Sequence, residues 1–193
     1  MQNLGFYFDL GWHHIIAWNA LDHLLFVLVL SAVYLIEDWK KVLILVTAFT
    51  IGHSLTLILS IVDMVRLDSK LVEFLIPCTI IITAAFNLWQ KGFSAKSLQR
   101  NYMLAFFFGL VHGLGFANAI RFMMEKYDSI GMNLLGFNLG LETGQIVVVA
   151  VILFLSYLIV NKAGLKRSLW VNSLSAFALV MAIKMVWDRF PEL

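Results

Sequence analysis

Apolar stretches at about 13–36, 42–61, 71–90, 102–123, 132–160 and 168–187 alternate along the chain with short connections that hold most of the charge. Each is close to the roughly 20 residues a helix needs to cross a hydrocarbon layer of about 30 Å at about 1.5 Å per residue. The pattern predicts an all-α integral membrane protein: a compact bundle of about six transmembrane helices in one polytopic domain, residues 1–193, with no room for a soluble domain. The tryptophans Trp12, Trp18, Trp39, Trp89, Trp170 and Trp187 all stand at or within two turns of a predicted helix end. Amphipathic rings favour that headgroup zone. The 132–160 stretch is long enough that a split within it would add a seventh helix.

Composition agrees with this frame. The chain is 61% hydrophobic and 13% charged, with mean hydropathy +0.87, far above what a soluble core of this size needs. The expected partner is the lipid bilayer, not nucleic acid, with a homo-oligomer left open. The segment before Trp12 holds Asp9 and no Lys or Arg, so it does not read as a cleaved signal peptide. A single cysteine, Cys78, forms no intramolecular disulfide. Lys40, Lys41, Lys91, Lys96, Arg100, Lys162, Lys166 and Arg167 fall on one side, against Arg66, Lys70, Arg121, Lys126, Lys184 and Arg189 on the other. That bias predicts both termini outside, in a bacterial inner (plasma) membrane. Six spans divide into three and three, so an internal duplication would be an inverted one. Ile51-Gly52-His53-Ser54 and Val111-His112-Gly113-Leu114 look alike but do not hold equivalent positions in the two halves.

All five histidines, His13, His14, His23, His53 and His112, lie in or at the edge of a predicted span. An ionisable group there costs several kcal/mol unless paired or hydrated, and marks an ion pathway, a proton relay or a site. Counting residues places Asp22 and His23 roughly 12–15 Å below the outer boundary, with His13 and His14 at the rim. His53, His112 and Glu142 come to a similar depth on three other spans. Helical phase supports one layer: Asn138, Glu142 and Gln145 form one stripe, Asn19 shares a face with Asp22 and His23, and Thr47, Thr50 and Ser54 run along the face near His53. Glu73 stands near the outer end of the third span.

Blander readings exist for each residue taken singly. A lone intramembrane histidine is as easily a packing residue, Gly109 and Gly113 form a GxxxG packing face, and Met181 and Met185 read as packing or lipid-facing. Three imidazoles and two carboxylates at one depth favour a common site instead. Imidazole with carboxylate suits zinc, nickel, cobalt or iron, whereas Cu(I) would want more thiolate or thioether. Two carboxylates would neutralise a dication in a medium of low dielectric. The candidate metal site is therefore His23, His53, His112, Asp22, Glu142 and His14, with Asn19, Ser54, Asn138, Gln145 and Glu73 as supporting polar groups.

Gly11-Trp12-His13-His14-Ile15, Asp22-His23-Leu24-Leu25-Phe26 and Phe49-Thr50-Ile51-Gly52-His53-Ser54-Leu55-Thr56 resemble motifs of the HupE/UreJ family, named for hydrogenase and urease accessory proteins. So do the segments from Phe108 to Phe116 and from Gly136 to Gln145. The resemblance runs in order through most of the chain. It implies a small membrane permease for a divalent metal ion, nickel first, with cobalt or zinc as alternatives, rather than an enzyme. It also places Asp22, His23, His53, His112 and Glu142 among the family's polar motifs. A second reading is a membrane-embedded zinc-dependent hydrolase, in which three histidines hold the metal and Asp22 or Glu142 activates water. A third is an accessory subunit without transport.

Overall fold

The computed structural model describes the backbone of residues 2–17, 20–90, 95–124 and 130–190, and the side chains of 4–17, 20–90, 101–117 and 131–190. Every regular element among them is helical: α1 Gln2–Ile16, α2 Leu21–Ser31, α3 Trp39–Ile61, α4 Ser69–Trp89, α5 Ala95–Met124, α6 Ile130–Ser156 and α7 Arg167–Arg189. Helix α6 runs on into a π-helical turn, Tyr157–Lys162, so the long fifth stretch is one rod, not two helices. Among the described residues, four helices, α3, α4, α6 and α7, are long and apolar enough to cross a membrane. Within α5, Asn101–Ala117 is a shorter apolar helix.

The first stretch departs from expectation. In place of one helix over about 13–36, the chain forms α1 and α2, bent by 69°, and α1 begins at Gln2. The reason is amphipathicity. Tyr7, Gly11 and Ile15, one turn apart, are buried, while Asp9 and His13 on another face are exposed and bonded to each other, the His13 Nδ1 lying 3.3 Å from the Asp9 carboxylate. A hydropathy sum averages those two faces and hides the helix.

Glycines set the packing. Along α1 and α6, Leu4 meets Gly136, Phe8 meets Gly140 and Ile15 meets Gly144, so the two helices run parallel. Along α3 and α5, Phe49 meets Gly109, and His53 and Thr56 meet Gly113, again parallel. Phe137 packs on His53 while Glu142 reaches Thr47, so α6 descends where α3 rises. Helices α4 and α7 are antiparallel, with Glu73 beside Arg189 and Asn87 beside Ser175.

These contacts repeat. Phe8, Gly11 and His14 of α1 have the spacing of Phe106, Gly109 and His112 of α5, and Phe49 and Gly52 of α3 that of Phe137 and Gly140 of α6. A Cβ on Gly140 would strike the Phe8 carbonyl and come within 2.9 Å of the Trp12 nitrogen; one on Gly52 would strike the Phe106 carbonyl and come within 3.1 Å of the Leu110 nitrogen. A Cβ on Gly11 would strike the Phe137 carbonyl, and one on Gly109 the Phe49 carbonyl. Each contact maps onto its counterpart when α1 and α3 are exchanged for α5 and α6. Because α3 and α6 are antiparallel, the two units are inverted with respect to each other. The likeness of Ile51–Ser54 to Val111–Leu114 is not this repeat.

Outside these seams the bundle presents apolar side chains. Ile44, Ile51, Ile58, Phe154, Val180 and Ile183 are exposed along their helices, and Trp39, Trp89 and Trp187 are exposed at helix ends, as lipid and headgroup contact require.

Candidate metal centre

The break between α1 and α2 builds the site. His14 stands in the last turn of α1 and His23 in the first turn of α2, so the bend sets their rings 4.5 Å apart between centroids. His53 of α3 completes a group in which one nitrogen from each of His14, His23 and His53 lies within 4.8 Å of the others. Counting residues along an unbroken helix puts His14 at the rim, above His23; the structure puts both in one layer. His112 of α5 joins from the other side, its ring 4.9 Å from that of His23. Phe26, Phe49, Phe116 and Phe137 wall the cluster.

Hydrogen bonds decide what each imidazole can offer. The Asp22 Oδ1 accepts from the backbone N–H and from the ring Nδ1 of His23, both at 2.9 Å. Nδ1 therefore carries the proton, and the His23 Nε2 keeps a free lone pair. Thr79 donates its hydroxyl to the Ile76 carbonyl at 2.6 Å, so its oxygen accepts from the His112 Nε2, 3.2 Å away, and the His112 Nδ1 keeps its lone pair. The His14 and His23 Nε2 atoms, the His112 Nδ1 and both His53 ring nitrogens are buried without a hydrogen-bond partner. A buried polar atom left unpaired costs about 1–3 kcal/mol. Several aimed at one place form a donor set that neutral imidazole chemistry matches to a first-row dication.

A cavity of about 500 Å³ leads to this group, with His14, His23, His112 and Phe116 inside and Leu10, His13, Glu73 and Arg189 toward the side where α4 begins and α7 ends. Asp22 lines it too, but its carboxylate is taken up by His23 and by Arg189, whose Nη2 lies 3.4 Å from Oδ2. It serves as the partner that orients His23 more than as a free ligand.

The other expected site residues divide. Glu73 is at the cavity rim. Glu142 and Gln145 are not in the histidine group: the Glu142 Oε1 accepts from Thr47 at 2.7 Å and the Gln145 Oε1 from Thr50 at 3.0 Å. Both polar stripes are real, but they face each other across the α3–α6 seam. Ser54 turns back to the Thr50 carbonyl at 2.6 Å, and the Asn138 Oδ1 is buried and unpartnered. Asn19 lies outside the described residues. Arg189 and Thr79 join the site without having been singled out in the sequence. Arg189 is hidden by its place at a helix end, where a cation reads as an interfacial anchor.

No curated protein and no solved structure matches this chain. The family described as HupE / UreJ protein matches residues 1–189. With helices long and apolar enough to cross a membrane and a family match over nearly its whole length, the chain belongs to the HupE/UreJ family.

Proposed function

We propose that this protein is a membrane permease for a divalent transition-metal ion, nickel first and cobalt or zinc next, and that it acts through His14, His23 and His53. The observation that carries this reading is the approach of those three ring nitrogens to within 4.8 Å of one another, with His14 and His23 lining an accessible cavity and His53 buried behind them. The inverted repeat adds support. In secondary transporters built this way, the site lies near the midplane where the halves meet, and a broken helix contributes to it. Here α1–α2 is the broken helix.

The ion enters past His13 and Glu73 and is held by neutral imidazoles, while the Asp22 charge reaches it through His23. Glu142 and Gln145, on the α3–α6 seam, stand along the way toward the opposite side. In this reading the bent pair counts as one crossing and α5 as another, giving six, with both termini outside in the inner membrane. Cysteine labelling at positions 2 and 95 then reports opposite faces.

The zinc-hydrolase reading shares the three histidines but needs a carboxylate free to activate water. Asp22 is committed to His23 and Arg189, and Glu142 to Thr47, which favours transport. Uptake of radioactive nickel, cobalt or zinc into vesicles tests the proposal. Wild type accumulates at least one of these ions and His53→Ala does not. Undiminished uptake by both His53→Ala and His14→Ala at normal expression would overturn it.

A further inference from the structure

The Asp22 carboxylate divides its two oxygens. Oδ1 is occupied by the backbone and ring of His23, and Oδ2 faces the guanidinium of Arg189 at 3.4 Å. Arg189 comes from the last turn of α7, and its other terminal nitrogen donates to the Glu73 carbonyl on α4 at 2.6 Å. The guanidinium is thus fastened at two points, and it lines the same cavity as His14 and His23. A fixed monocation here opposes a dication twice over. It repels the ion directly, and it spends part of the one carboxylate whose charge reaches the ion through His23.

We infer that Arg189 is the determinant that keeps the site's affinity low enough for an ion to leave, a built-in countercharge against tight holding. This inference rests on the reading that His14, His23 and His53 take a divalent metal ion. Three imidazoles plus an orienting carboxylate are the donor set of tightly held metals, and tight holding stops conduction, which needs binding weak enough to release. The arginine resolves that conflict. It is a positioning and specificity residue, not a ligand, since guanidinium has no lone pair to give.

The test is nickel binding by titration calorimetry of purified full-length protein in detergent, together with uptake into vesicles. Arg189→Gln tightens nickel binding about tenfold, lowers the half-saturating concentration for uptake and lowers the maximal rate. Arg189→Lys, which keeps the charge, stays within about threefold of wild type. A residue that only braced α7 against α4 would do the reverse: Arg189→Gln would weaken binding, and nickel affinity would follow loss of thermal stability. Charge can also be restored in folded protein. In a Cys78→Ser background, Arg189→Cys carrying an aminoethyl disulfide binds nickel about tenfold more weakly than the same protein carrying a neutral group of equal size. Equal affinity of the two adducts, or unchanged or weaker binding in Arg189→Gln, overturns the inference. Absence of nickel, cobalt and zinc binding by wild type instead overturns the metal-site reading beneath it.

Discussion

Helices α1 and α5 hold equivalent places in the two inverted units, sharing a phenylalanine, a glycine and a histidine at the same spacing, yet they end differently. α1 stops at Ile16 and the chain restarts at Leu21, whereas α5 continues to Met124. On the unbroken side the result is one firmly held imidazole beside the group of His14, His23 and His53. His112 is fully buried, fixed by Thr79 and backed by Phe26 and Phe49. On the broken side the result is a cluster of imidazoles. The bend lets the histidines of two successive helices meet, and His14, Asp22 and His23 line the cavity. Repetition supplies the scaffold here, and the bend between α1 and α2 sets His14 beside His23.

The largest effects should fall on the broken side. His14→Ala and His53→Ala each remove a lone pair from the group and should lower nickel affinity more than about 100-fold, beyond the roughly 10–100-fold typical of losing an outer partner. Calorimetric titration measures both. If His112→Ala costs as much as either, the two sides do not differ as described. Asp22→Asn keeps the shape but weakens the hold on the His23 tautomer, and should cost about 10–100-fold in the same titration.

The scaffold is tested by stability. Gly52→Ala and Gly140→Ala each force a methyl into a neighbouring backbone and should destabilise by about 1–3 kcal/mol or more, read as comparable drops in thermal midpoint. A large effect at one and none at the other would break the equivalence of the units. Thr79→Val leaves the His112 Nε2 without its acceptor and should cost about 1–3 kcal/mol, with less than about threefold change in nickel affinity. Smallest of all, Glu142→Gln keeps a hydrogen bond to Thr47 and should move equilibrium nickel binding by less than about threefold, whatever it does to transport rate.

Hydropathy and residue chemistry alone carried the reading far. The membrane setting, five of the long helices and the membership of His23, His53, His112 and Asp22 in one neighbourhood were all legible, because an ionisable group inside an apolar stretch stands out against its surroundings. Spacing along a helix was legible as well, since the rise per residue is constant. Direction around the axis was only half legible. The stripe through Asn138, Glu142 and Gln145 showed that α6 has a polar face. Nothing local told whether that face meets the histidines or the matching stripe of Thr47 and Thr50.

What the sequence determined by itself is the inventory: which segments lipid will accept, which side chains lipid will not, and how far apart along each helix they stand. These follow from transfer free energies and helical geometry, which act residue by residue. Tertiary structure alone decided the break between Ile16 and Leu21, the move of His14 from the rim into the layer of His23, the pairing of Glu142 with Thr47, and the placing of Arg189 against Asp22. The glycines Gly11, Gly52, Gly109 and Gly140 let the backbones of α1 and α6, and of α3 and α5, touch. A contact between distant segments is a property of two surfaces fitting together, and neither segment encodes that fit alone.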